Sequence, residues 1–474
     1  MEATTSGIEQ APGRAASAVA VSSPARTLAV GAAGTLLVLI AFTSITTTVA
    51  PASAGLGGGV DGRTWALSGM SLGLAAALLV AGALADDFGR RRALVLGALF
   101  LAGASLLATV AWSMPVLVVA RVLQGVGGAG VVAASLGLIG HAFPAPAART
   151  RATGIWGAMV GAGIAIGPLV GSGLELVGGW RAVHGLEALG GLALAAAALT
   201  VAESRAARPS PIDLPGVATL AAGMGLLSAG VIRGRSGWTD GATLALLAAG
   251  VLLLVVFATV ERRRRPPLLD LGLFRRPLFV VATSGALFIG LALIALMSFL
   301  PTFGQAGLGW SGIGSAAVLA CWSATSAVVA WGSRRLPVRL DGRHRLILAF
   351  LICAVGLAAL TGVAAGDPWT RLLPGLVVAG VGSGIGNAAL GRVAVESVPA
   401  DRAAMGAGAN NTARYFGGAA GVAMVVALVD AGGGHGAGMA DGWNLAAAVA
   451  AGLCLLAAAL AALARPQSAG RSRS

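Results

Sequence analysis

Long apolar runs alternate with short polar breaks along almost the whole chain. Runs of membrane-crossing length fall near 28–50, 64–85, 93–112, 115–140, 153–176, 182–202, 213–233, 241–260, 277–300, 311–332, 346–363, 371–394, 403–429 and 443–464, fourteen in all. A helix of about 20 residues crosses a bilayer's hydrocarbon. Lipid offers open backbone no hydrogen-bond partner, so each run is expected to be helical. The breaks between them are short, and several carry clustered arginines.

Composition strengthens this reading. Of 474 residues, 57% are hydrophobic and only 11% charged, against roughly 25% charged in soluble domains. Such a chain cannot cover itself with polar surface. The net charge is +14, and all 32 basic residues are arginine. Nucleic acid is a partner often read from such a balance, but arginines that orient membrane spans need none beyond lipid headgroups. With both termini inside, 24 arginines fall in cytoplasmic segments, five in outer segments and three within spans. That bias fixes the expected orientation, a multi-pass protein of the cytoplasmic (inner) membrane with both termini cytoplasmic, and it supports an even number of spans. Trp65, Trp112, Trp180, Trp238, Trp310, Trp369 and Trp443 fall at the expected outer ends, where an interfacial belt would sit. Cys321, Cys353 and Cys454 stand singly in apolar runs, which suits small packing residues and suggests no metal site. Residues 1–27 read as a cytoplasmic tail, with no signal-peptide pattern.

Three stretches carry candidate mechanism. "GALADDFGRRR" joins spans 2 and 3, with Gly82, Asp86, Gly89, Arg90, Arg91 and Arg92 in it. Gly89 permits the bend and the arginines anchor it, but Asp86 and Asp87 weaken that anchor. An acid there could bind the positive end of another helix and act as a releasable latch. Span 4 carries "RVLQGVGGAG", which places Arg121 and Gln124 deep in a span. An intramembrane arginine is costly and marks a functional position by default; the plainer alternative is snorkelling to the headgroups. Span 5 carries Gly163, Gly167 and Gly171 at every fourth position with Pro168 in register. That face admits close helix approach, and the other half of the molecule is its expected partner.

These motifs resemble those of the major facilitator superfamily. The first resembles its signature loop, except that Asp87 stands where a basic residue is usual. The third resembles its antiporter motif. "GGWRAVHGLE" after span 5, "ERRRRPPLLDLGLF" after span 8 and "NNTARYFGGAAGVA" in span 13, with Arg414, resemble the drug:proton antiporters with fourteen spans, and "SRRLPVRLDGRHR" looks like a decayed copy of the first motif. The resemblance implies an all-α membrane fold of two six-helix bundles, 28–205 and 271–464, joined by two extra helices within 206–270, with 465–474 as a second cytoplasmic tail. The subfamily usually has a coupling aspartate in span 1. Here that stretch is "AFTSITTTVAP", and Phe42 stands at the acid's position. Glu187, with His184 three residues earlier on the same face, is the best-placed substitute for carrying protons. The alternative for this pair is a polar contact with the outer headgroups.

The resulting expectation is a monomeric, secondary active exporter of a small organic molecule, a drug or secondary metabolite, driven by proton antiport through alternating access. No carboxylate is expected near Arg121 and Arg414, so a neutral or anionic substrate is favoured. An uncoupled facilitator or importer, and a non-transporting sensor or scaffold, stay open as alternatives. No catalytic constellation, metal site, cofactor motif or P-loop GxxxxGK[ST] is present, so neither enzymatic chemistry nor ATP drive is expected.

Overall fold

The computed structural model describes residues 23–205, 213–234, 237–264, 267, 269–332, 342–398, 403–433 and 436–464. Residues 1–22 of the tail expected at 1–27, the tail at 465–474 and most of the "SRRLPVRLDGRHR" loop lie outside the described residues, while Pro24–Thr27 of the expected first tail already belong to a helix. The described chain is helical, with α1 (Pro24–Gly55), α2 (Val60–Phe88), α3 (Arg90–Thr109), α4 (Met114–Ala142), α5 (Pro146–Ala198), α6 (Leu214–Gly234), α7 (Gly241–Arg263), α8 (Pro277–Ile289), α9 (Ala295–Gly307), α10 (Gly312–Gly332), α11 (Gly342–Ala358), α12 (Leu373–Glu396), α13 (Ala403–Ala431) and α14 (Gly436–Leu463).

The fourteen apolar runs do not map one to one onto separate helices. Runs 5 and 6 fall within α5, two helical arms that meet at a kink at Gly179, where φ is 70 and ψ 178. Run 9 is α8 and α9 joined through a π-helical turn at Gly290–Ile294. Twelve described helical segments are long and apolar enough to cross a membrane; α5 counts once, and α11, at 17 residues, falls short of that length. Lipid is the evident solvent for their outer faces. Only 17% of the most apolar stretch of α7 is buried, and Val251, Leu252 and Val255 on it are exposed.

Helices α1–α5 pack on one another, as do α8–α14, and the α6–α7 hairpin lies against α2 and α13. The two groups meet where α2 crosses α13, α5 crosses α10, and α1 crosses α9. Hydrogen bonds across this seam are long. Thr412 Oγ1 donates to the Ala75 carbonyl at 3.3 Å, Ser68 Oγ to Ala419 at 3.3 Å, and Gln305 Nε2 to Thr47 at 3.4 Å. Close packing adds to them: Gly161 of α5 lies against Ala327 of α10, and Gly408 of α13 against Leu79 of α2.

Tight packing lies within the first half. A Cβ on Gly163 would meet Leu39 and Ile40, one on Gly167 would meet Thr43 and Ile40, and one on Gly171 would meet Ser44 and Thr47. All are on α1. The glycine face of span 5 therefore packs on α1 of its own half, which corrects the expectation that it faces the other half. The sequence register explains the fit. Thr43 and Thr47 repeat every four residues, as the glycines do, and their hydroxyls donate to the Gly163 and Pro168 carbonyls at 3.3 and 3.2 Å. Small residues bring the backbones together and hydroxyls bond across them.

The α2–α3 turn is clamped from its own half as well. Gly89 has φ 116 and lacks a side chain to cap α3. Glu203, beyond α5, supplies the missing acceptor: its Oε1 takes the Arg91 N–H at 2.9 Å, and its Oε2 lies 3.8 Å from Nε of both Arg91 and Arg92. Asp86 pairs with Arg90 in the same turn, at 2.7 Å. Gly82 borders open space, so no neighbour requires it to be glycine.

The tryptophan belt needs one correction. Trp112, Trp238 and Trp369 are exposed, but Trp180 and Trp443 are core residues. Trp443 stacks on Phe303 at 4.4 Å and donates to the Leu360 carbonyl at 3.0 Å.

Two consequences are measurable as melting temperatures in detergent. Gly167→Leu should destabilise the α1–α5 contact by about 1–3 kcal/mol. Gly173→Leu, on the same helix but facing open space, should change stability by less than about 0.5 kcal/mol; equal melting of the two variants would refute the assigned face. Glu203→Ala removes a helix cap worth about 0.5–2 kcal/mol and should melt below Asp86→Ala, which loses one half-exposed pair worth about 0.3–0.5 kcal/mol. The reverse order would show that Glu203 is not the clamp.

Candidate functional site

Four residues singled out in the sequence, Arg121 and Gln124 on α4 with His184 and Glu187 on the second arm of α5, come together in one buried cluster inside the first half. Arg121 lies two turns into α4, fully buried. It does not snorkel. Its guanidinium donates to the Ala41 carbonyl at 2.8 Å, to Phe42 and Ala66 carbonyls at 3.3 Å each, and to Gln124 Oε1 at 2.7 Å. Gln124 passes the interaction on. Its amide nitrogen donates to Ser105 Oγ at 2.8 Å and to Glu187 Oε2 at 2.9 Å.

Glu187 is 2% exposed, and each of its oxygens is bonded. Oε1 accepts from Ser44 Oγ at 2.7 Å, and Oε2 also lies 2.9 Å from His184 Nδ1. His184 is itself fully buried beneath the Trp180 ring, 6.1 Å away and edge-on, so this pair does not face headgroups. Its Nε2 has no partner among the described residues. The tautomer that donates from Nδ1 to Glu187 leaves Nε2 as an open acceptor. The cluster thus sets a buried carboxylate between a histidine with an open nitrogen and an arginine one amide away.

The chain turn at Gly179 builds this arrangement. It folds the second arm of α5 back so that Trp180 covers His184. Arg181 stacks on Trp180 at 4.2 Å and donates to the Ala111 carbonyl, past the end of α3, at 2.8 Å. Together the cluster and its cover tie α1, α2, α3, α4 and the second arm of α5.

The structure also corrects the charge of the interior. A carboxylate does lie at the level of Arg121, because Glu187 reaches Ser44 two-thirds of the way along α1. A run of hydroxyl residues, Thr43, Ser44, Thr46, Thr47 and Thr48, marked span 1 as polar, but nothing in it singled out Ser44 as the one that meets Glu187. Arg414 stands apart on α13. It makes one bond, to Asn410 Oδ1 at 3.3 Å. Phe42 turns toward the same helix and packs edge-on against Tyr415, 5.8 Å away. Asp86, the expected latch, bonds Arg90 in its own turn rather than a distant helix. The π turn at Gly290–Ile294, whose first residue packs on the Arg414 carbonyl, was not foreseen; the glycine pair Gly417–Gly418 opposite it was the available signal.

Comparison with known proteins follows this geometry. The profile of the Major Facilitator Superfamily matches residues 31–422. The chain is 33% identical over 454 residues to the puromycin resistance protein pur8 of Streptomyces alboniger, covering 90% of this chain and 89% of that protein. It is 31% identical over 368 residues to the tetracenomycin C resistance and export protein of Streptomyces glaucescens, covering 77% and 68%. Among solved structures, the peptide transporter POT superposes with a TM-score of 0.66 at 16% identity, covering 92% of this chain and 94% of that one, a likeness of fold alone. These relatives are transporters rather than enzymes, and their names speak of drug resistance and export. With a matching profile across most of its length, this chain belongs to the major facilitator superfamily and is a multi-span membrane transporter of small molecules.

Proposed function

We propose that the protein exports a small organic molecule, neutral or acidic, across the cytoplasmic membrane in exchange for protons. Its two halves, 28–205 and 271–464 with the linking hairpin between them, would rock about the seam in alternating access. In this reading the chain crosses the bilayer fourteen times, the two arms of α5 counting separately and α11 completing the second bundle, with both termini on the arginine-rich side. The family match and the resistance and export proteins among its relatives support the direction. The α2–α3 turn, Gly82 to Arg92, serves as a clamp at the inner end.

One observation carries the coupling. Glu187 is a buried carboxylate bonded to α1 through Ser44 and to Arg121 through Gln124, in a chain with Phe42 where related exporters have an acid. Protonating Glu187 removes its charge from Arg121 and turns one acceptor oxygen into a donor. The bonds to Ser44 and Gln124 must then rearrange. Arg121, still holding the Ala41 and Phe42 carbonyls, loses the anion that balances it. The charged and titratable groups facing Glu187 are Arg121, through Gln124 from α4, and His184 on its own arm. An incoming proton must therefore displace one of the bonds that Glu187 makes to Ser44, Gln124 or His184. Because α1 meets α9 at the seam, the strain reaches the second half. A facilitator without coupling is the reading Phe42 itself favours, and the same experiment separates the two.

Purified protein in liposomes, loaded with a fluorescent drug, should accumulate it against its gradient when a pH difference is imposed. Glu187→Gln should lower gradient-driven accumulation about tenfold or more while exchange at equal pH persists, since the removed step is the proton's alone. Loss of both activities, or of neither, would exclude Glu187 as the coupling group. Downhill movement in the wild type that ignores the pH difference would establish the facilitator.

A further inference from the structure

We infer that Arg414 is a binding site for the anionic group of a hydrophobic organic acid, and that this site rests on the two halves' seam. Two arginines lie deep in helices, and their surroundings differ in kind. Arg121 has four hydrogen bonds and shares Gln124 with a carboxylate. Arg414 has one long bond, its Nε is buried with no partner, and no carboxylate pairs with it among the described residues. A guanidinium cannot shed its charge in a protein, and a buried cation without a counter-ion is costly. Glu187 meets that cost for Arg121. Nothing fixed meets it for Arg414.

The position of Arg414 favours a transient counter-ion. Asn410 lies one turn before it and bonds the Ala282 carbonyl of α8. Gly418 lies one turn after it, against Ile294 and Ser71 of α2. Residues four apart share a helix face, so Arg414 sits on the stripe of α13 that runs between α8 and α2. Its own carbonyl packs against Gly290, where the π turn begins. Such turns inside α-helices recur at functional sites.

The chemistry narrows the ligand. A planar guanidinium with free donors grips a carboxylate or sulfonate with two parallel bonds. The next residue, Tyr415, is the only tyrosine in the chain and stands edge-on to Phe42 across the seam. An acid at position 42 would face α13 and supply the missing charge from the protein; phenylalanine supplies an apolar surface instead. A flat, apolar body bearing one negative group suits both features. This inference takes its purpose from the export reading, but its chemistry stands without it.

The test is binding in lipid nanodiscs, followed by tryptophan quenching, with anthraquinone-2-carboxylate and its uncharged carboxamide as matched probes. The wild type should bind the acid about tenfold more tightly than the amide, one charge-assisted contact's worth. Arg414→Gln should bring the two affinities together, Arg414→Lys should keep part of the difference, and Phe42→Asp should reduce it by offering Arg414 an internal acid. A wild type that binds the probes equally, or binds neither, overturns the proposal without recourse to any variant. So does a folded Arg414→Gln protein that keeps the preference. Preference for the acid in nanodiscs, with no movement of either probe in liposomes, would keep the site and discard export.

Discussion

A charge inside hydrocarbon must be paired or hydrogen-bonded within the protein, and in the first half that requirement organises five helical segments. Arg121 is the origin of the constraint. Its donors reach two carbonyls of α1 and one of α2, so its burial pins those helices to α4. Gln124 and Glu187 complete its surroundings and bring in α3 and the second arm of α5. Removing one partner would leave the others buried and unsatisfied, a penalty of roughly 3–5 kcal/mol for a buried charge. The cluster therefore sets the positions of its helices more narrowly than apolar packing would, because apolar contacts tolerate rotation and hydrogen bonds do not.

Against this polar centre, the α1–α5 seam works by shape. Glycines at every fourth residue of α5 leave no side chains to interlock with α1, and threonine hydroxyls bridge the gap. α1 is thus fixed on one side by hydrogen bonds to Arg121 and Glu187 and on the other by backbone contact with α5. The side-chain hydrogen bonds between the halves are single and long. Short hydrogen bonds inside the first half and long ones at the seam suit rigid-body rocking on the proposed reading.

Much of this was legible in the sequence, and the unread part has physical causes. Apolar run length located the long described α-helices, because the bilayer sets that length. Intramembrane polar residues pointed to Arg121, Gln124, His184 and Glu187 for the same reason. Helix rotation was not legible: a helix apolar all round carries no phase signal, so the partner of the Gly163–Gly167–Gly171 face was assigned to the wrong half. The tryptophans failed likewise. Trp443 and Trp112 both stand near helix ends, and only packing shows that one ring turns inward onto Phe303. Glu203 was missed because its partners lie more than a hundred residues away, and an acid beside arginines in a loop reads as ordinary solvated charge.

The two halves spend their polar residues differently. The polar cluster of the first half closes largely on itself: both donors of Gln124 and both oxygens of Glu187 are engaged, and His184 Nε2 is left without a partner among the described residues. The second half holds its helices by glycine contacts, Gly290 on Gly418 and Gly421 on Leu291, and interrupts one of them with a π turn. Arg414 lies beside that turn, its carbonyl against Gly290 and its Nε buried without a hydrogen bond. A proton needs a rigid site, because its transfer depends on distances of a fraction of an ångström. A flat organic molecule needs room and one strong anchor. On the proposed reading the duplication that made the halves has let each keep one of these demands, and α1, which touches both Glu187 through Ser44 and Tyr415 through Phe42, is the element through which occupancy of one is felt at the other.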